Sequence, residues 1–122
     1  MWQDIDMTDL TIYEKPSCTT CRKLHDLLVA RGIDFERVDY HVTGLSEVEL
    51  RELLHKADLG PRDVLRMREP LVNELALPGD LSDDELIKLM VEHPTLVQRP
   101  IVVRGDRAVL ARPVEKVLEL LE

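Results

Sequence analysis

Two cysteines, Cys18 and Cys21, stand three positions apart, and the 122-residue chain has no other thiol. A C-x-x-C pair can do redox chemistry, nucleophilic chemistry, or supply half of a zinc site. The surroundings favour thiol chemistry. Cys18 follows a β-prone run, Leu10-Thr-Ile-Tyr13, that stops at Glu14-Lys15-Pro16, because Pro16 cannot donate to a ladder. A helical pattern begins directly after it. A helix start presents free N–H groups and partial positive charge, and both stabilise a thiolate. Arg22 and Lys23 would add positive charge in the first turn, and Thr19 and Thr20 offer hydroxyls to the same sulfur. Such a helix start can also hold an oxyanion, so nucleophile and anion site would coincide. Cys21, one turn further, can reach Cys18 to form a disulfide.

A zinc site would need two of His25, His41, His55 and His93, and no H-x3–5-H spacing accompanies the cysteines, so no metal is expected. A pair of buried structural cysteines fits poorly with a strand-to-helix turn after proline. The histidines read as surface or packing residues, with His93-Pro94 helping to end a helix.

The elements that position Cys18 follow from periodicity. Residues 19–31 carry an apolar stripe at Leu24, Leu27, Leu28 and Ala30, closed by Gly32. Residues 33–40 alternate apolar and polar as a strand. Ser46 with Glu49, and Ser82 with Glu85, are capping boxes for helices over 46–55 and 82–92. Between them Gly60-Pro61 and Pro78-Gly79 are breaks, and residues 62–77 read as short helical turns interrupted by Pro70. Residues 101–104 and 108–110 form a hairpin about Gly105-Asp106. Pro113 fits the first turn of a last helix, striped by Val114, Val117, Leu118 and Leu121. The order is β-α-β, a helical stretch, then β-β-α. The first two strands are expected to be parallel through a right-handed crossover, with the hairpin antiparallel. This gives a thioredoxin-like α/β fold: a four-stranded mixed sheet flanked by helices, with a helical insertion at about 45–93 between strands two and three. The expected organisation is a single domain over 1–122.

Composition limits the partners. The chain carries 24 Asp+Glu against 16 Lys+Arg, a net charge of −8, which weighs against a nucleic-acid face. An acidic protein must gather cations locally to hold an anion. Eleven of the sixteen basic residues are arginine, whose fork suits oxyanions. No apolar stretch is long enough for a membrane span, and residues 1–4 show no secretory n-region, so a cytoplasmic location is expected.

The segment Y-E-K-P-S-C-T-T-C-R-K at 13–23 resembles the active-site segment of the glutaredoxin-coupled arsenate reductase family, which also includes Spx-like transcription regulators. The resemblance continues through Val64-Leu65-Arg66, His93-Pro94-Thr-Leu-Val-Gln-Arg99-Pro100-Ile-Val-Val103 and Leu110-Ala-Arg112-Pro113, over nearly the whole chain. It implies a Cys18 thiolate that attacks arsenate, an oxyanion held by Arg66, Arg99 and Arg112, and reduction completed by glutathione with glutaredoxin, or by thioredoxin. It implies no tightly bound cofactor. A cis Arg99–Pro100 bond facing the cysteine is also implied. Arg37, Arg104 and Arg107 have no motif support and read as surface residues.

Two positions depart from the family pattern. Glu14 and Lys15 stand where many such reductases have histidine and asparagine, and a carboxylate there would raise the Cys18 pKa. Cys21 replaces a non-thiol residue, which allows an internal disulfide. The alternative function is an Spx-like regulator binding RNA polymerase, with Cys18 and Cys21 as a disulfide switch. Arg112 favours the enzyme, since a sensor needs no third cation near its sulfur.

Overall fold

The computed structural model describes residues 10–15, 17–67, 69–74 and 81–121. The sequence readings on residues 1–4, Pro16 and 75–80 lie outside the described residues. Strand β1 is Leu10–Glu14, helix α1 Thr19–Ala30, strand β2 Glu36–Asp39, helix α2 Tyr40–Thr43 and helix α3 Glu47–Ala57. Helices α4 (Pro70–Glu74) and α5 (Asp83–Glu92) follow, then strands β3 (Ile101–Arg104) and β4 (Arg107–Leu110) and helix α6 (Leu118–Leu121).

The sheet order is β2-β1-β3-β4. β1 and β2 are parallel, with Tyr13 opposite Val38, and β1 and β3 are antiparallel, with Tyr13 opposite Ile101. β3 and β4 form the antiparallel hairpin. The four-stranded mixed sheet and the helical insertion between β2 and β3 match the sequence reading. Side chains alternate across the sheet, so each strand feeds two cores. Leu10, Ile12 and Val102 pack with Leu24 and Leu28 of α1 and with Val117 and Leu120 near the C-terminus. Ile101 and Ala108 face the other way, against Leu50, Leu53 and Leu54 of α3 and Leu86, Ile87 and Met90 of α5.

Three element readings change. The second strand ends at Asp39, because its side chain accepts the His41 N–H at 3.1 Å and starts α2. Tyr40 thereby turns inward, fully buried, and its hydroxyl donates to the Val97 carbonyl at 2.6 Å. Pro70 opens α4 rather than interrupting it, because a first helical turn needs neither its N–H nor a different φ. Pro113 lies outside the last helix: the Arg112–Pro113 bond is cis and the Pro113 ψ of 162° is extended, so a 3-10 turn begins at Val114.

Both capping boxes form, at Ser46 with Glu49 and at Ser82 with Glu85. The insertion is tied back to the sheet end by main-chain bonds. Leu65 pairs with Val97 in an isolated antiparallel bridge, the Arg66 N–H donates to the Leu96 carbonyl at 2.7 Å, and the Gln98 N–H donates to Val64 at 2.7 Å.

Leu50 is fully buried between α3 and the sheet. Leu50→Ala is expected to cost about 2–5 kcal/mol, the range for deleting a buried leucine. Urea unfolding would read this as a lower midpoint with an unchanged slope.

Candidate active site

Cys18 is the N-cap of α1, in extended conformation, with its Sγ accepting the Cys21 N–H at 3.4 Å. Its own N–H donates to the Lys15 carbonyl at 2.9 Å, and its carbonyl accepts from Arg22 N–H at 3.1 Å. The side chain is half-buried, whereas Cys21 is fully buried, and both thiols are free. Burial pushes the Cys18 thiol up, but hydrogen bonds from Cys21 and Arg99, together with the Arg99 charge, outweigh it and hold the thiol below its ordinary value. Cys21 moves the other way: burial, the bond to Cys18 and the Glu14 charge push its thiol up to about 12. One cysteine is therefore poised as a thiolate and the other held as a thiol.

Arg99 is only 4% exposed, and its Nε and Nη1 are buried without a hydrogen-bond partner. Unmet buried N–H groups on a guanidinium are expensive to leave without an acceptor. The guanidinium also lies beside the Tyr40 hydroxyl, and the Arg66 charge acts on that same tyrosine. Arg66 Nε is likewise buried without a hydrogen bond, 3.9 Å from Glu69 Oε2. Arg112 is joined to this group through the main chain: its Nη1 donates to the Arg99 carbonyl at 3.0 Å. Its side chain also borders a cavity of about 270 Å³ with Leu59, Asp63 and Lys116. Arg99 is thus brought to Cys18, Arg66 to Tyr40 beside Arg99, and Arg112 to the Arg99 backbone. The Arg99–Pro100 bond is cis, and the Pro100 carbonyl accepts the Ala111 N–H at 2.9 Å. Arg22 and Lys23 are exposed; the cation acting on the sulfur is Arg99.

Several residues read as surface prove to have fixed partners. Glu14 is 1% exposed, on the same strand face as Leu10 and Ile12. Its carboxylate receives Arg37 Nε at 2.9 Å and contacts His25 Nε2, and His25 stacks on Phe35. The expectation that Glu14 raises the Cys18 pKa is overturned, since Glu14 is held toward His25 and Arg37 and its charge acts on Cys21. Extending the alternation of Leu10 and Ile12 by one more step reaches Glu14, and that was the signal that could have placed it inward. Arg107 is exposed as expected and Arg104 half-buried; they donate to the carbonyls of Glu119 at 2.8 Å and Leu120 at 2.7 Å, closing the C-terminal turns onto the hairpin. His55 is exposed and His93 caps α5.

His41, read from the sequence as a surface or packing residue, packs its ring against Tyr40, which lies beside Arg99. Both ring nitrogens are buried without partners. Burial, then the charges of Arg99 and Lys15, hold its pKa below the usual histidine value, against smaller opposing effects of Asp39 and Glu69.

A thiol at a helix start, set beside a buried guanidinium at the end of a mixed four-stranded sheet, defines a thioredoxin-like protein with a cysteine site. The chain belongs to the ArsC family, whose model matches residues 13–120. It is 38% identical over 112 residues to YfgD of Escherichia coli strain K12, an uncharacterized protein, covering 90% of this chain and 94% of that one. It is 33% identical over 117 residues to an arsenate reductase of Neisseria meningitidis serogroup B, covering 94% of this chain and 100% of that one. Among solved structures, an arsenate reductase from Vibrio cholerae superposes with a TM-score of 0.85 at 40% identity, covering 90% of this chain and 95% of that one.

The two thiols should separate on alkylation. Iodoacetamide at neutral pH is expected to label Cys18 and leave Cys21 untouched, as peptide mass spectrometry would show. Removing the Arg99 charge in Arg99→Met destabilises the thiolate, so the midpoint of the labelling rate against pH should move upward. A midpoint that stays or falls would remove Arg99 from the activation of Cys18.

Proposed function

We propose that the chain reduces arsenate to arsenite. The observation that carries this reading is Arg99, a buried guanidinium with two unpartnered nitrogens, set against a cysteine whose thiolate is favoured. Arsenate brings negative charge and several oxygens to that place. The Cys18 thiolate attacks arsenic(V), a sulfur–arsenic bond forms, and one arsenate oxygen leaves as water after protonation. Arg66, Arg99 and Arg112 hold the remaining oxygens and balance the charge that develops on them. A second thiol then attacks the Cys18 sulfur. A sulfur–sulfur bond forms, the sulfur–arsenic pair of electrons stays with arsenic, and arsenite leaves.

The second thiol is glutathione, with glutaredoxin regenerating Cys18, or Cys21 itself, with thioredoxin reducing the Cys18–Cys21 disulfide. A cytoplasmic location supplies both reductants. Residues 1–122 act as one domain in this reading, and no resident cofactor is required. The partner in this reading is a small oxyanion rather than a membrane or a nucleic acid.

Arsenate-dependent NADPH oxidation tests the reading, with glutathione, glutaredoxin and glutathione reductase in one series and thioredoxin with its reductase in another. Cys18→Ser is expected to abolish turnover in both. Cys21→Ser should spare turnover with glutathione and abolish it with thioredoxin if Cys21 resolves the intermediate. Arg66→Lys, Arg99→Lys and Arg112→Lys keep charge but lose the fork, and each is expected to lower kcat/KM by about 10- to 100-fold, or ~1.5–3 kcal/mol. Unchanged rates in all three would remove the oxyanion site, and a Cys18–Cys21 redox sensor would then lead.

A further inference from the structure

The arginines leave one requirement of such a ligand unmet. Guanidinium groups only donate hydrogen bonds. Arsenate and phosphate keep at least one hydroxyl at neutral pH, and that hydroxyl is itself a donor. Set against N–H groups alone, it would meet donor with donor. Sulfate keeps no hydroxyl and has no such need. A site built for a protonated oxyanion must therefore include an acceptor.

His41 supplies one. Its main chain is fixed by the Asp39 cap at 3.1 Å, and its ring packs against Tyr40 with centroids 4.6 Å apart. Tyr40 in turn lies beside the Arg99 guanidinium. Both His41 ring nitrogens are buried and unpartnered, as are Nε and Nη1 of Arg99 and Nε of Arg66. A histidine packed only for bulk would not leave two buried polar atoms unmet, because each unmet polar atom costs on the order of 1–3 kcal/mol. The charged groups that act on the ring are Arg99 and Lys15 on one side of the balance and Asp39 and Glu69 on the other. Burial and the two cations prevail, so the imidazole is neutral near pH 7 and one of its nitrogens has a free lone pair.

We propose, resting on the oxyanion reading above, that His41 is the acceptor of the site: its imidazole takes a hydrogen bond from a hydroxyl of the bound oxyanion. It thereby favours hydroxyl-bearing tetrahedral oxyanions, such as arsenate and phosphate, over sulfate. The role is one of specificity and orientation. A hydroxyl pinned by His41 also fixes which of the oxygens face the arginines.

Protection of Cys18 from iodoacetamide by inorganic phosphate and by sulfate tests this in the full chain at neutral pH. The wild-type protein is expected to be protected by phosphate at lower concentration than by sulfate. His41→Leu should lose about three- to tenfold of that preference, the size of one hydrogen bond, through weaker protection by phosphate while sulfate is unaffected. His41→Gln, which restores a carbonyl acceptor, should recover most of it. Retained protection by sulfate serves as the folding control, and if His41→Leu does not fold, His41→Met carries the same comparison. An unchanged ratio in the apolar variant overturns the proposal. So does equal protection of the wild-type protein by the two anions, although the oxyanion site itself then stands. Among the described residues, Gln98 Oε1 is the other buried side-chain acceptor without a partner. If Gln98→Met lowers the ratio and His41→Leu does not, the role is not His41's. Protection by neither anion overturns the oxyanion reading and this proposal with it.

Discussion

A buried guanidinium that cannot lose its charge dominates this molecule. Arg99 has almost no contact with water and leaves two nitrogens unsatisfied. Removing a cation from water is costly, and the cost is offset by opposite charge and by hydrogen-bond acceptors in direct contact. The Cys18 sulfur is part of that offset, since a thiolate beside Arg99 is stabilised as much as Arg99 is by the thiolate. Fold and chemistry meet at this interaction, because the same burial that strengthens the attraction between the charges would make an empty site expensive.

The sheet exists, for this purpose, to bring two chain segments to one end. β1 delivers Cys18 to the start of α1, and the segment before β3 delivers Arg99 to the same place. Tyr40 lies beside Arg99 and is anchored by its bond to Val97. Beneath Cys21, Glu14 neutralises part of the charge of Arg37 and keeps His25 in place. The two cysteines therefore share a motif but not an environment: one faces a cation, the other a carboxylate.

Much of this was legible in the sequence where a local signal existed. The strand and helix periods, both capping boxes and the hairpin turn depend on neighbouring residues, and they gave the fold class. The motif around Cys18 pointed to the thiol for the same reason. Long-range pairings were not legible. Arg37 looks like any strand arginine until Glu14 is known to point inward beside it. His41 follows what reads as a strand, and only the Asp39 cap reveals that the chain turns there. The difference between Arg99 at the sulfur and Arg112 at a backbone carbonyl is a matter of tertiary geometry that no spacing in the sequence encodes. The expected effect of Glu14 on Cys18 failed similarly, because proximity along the chain did not specify which thiol the carboxylate would face.

The bridge between Leu65 and Val97, flanked by the bonds of Arg66 to Leu96 and of Gln98 to Val64, sets how far apart two of the arginines stand. All three links are between main-chain atoms. The interval is thus a ruler graduated in residues. Val64, Leu65, Leu96 and Val97 are themselves buried in one core, so packing clamps the ruler in place. A single-residue insertion or deletion between Val64 and Arg66 would move one guanidinium by a whole graduation and leave it facing away from its counterpart.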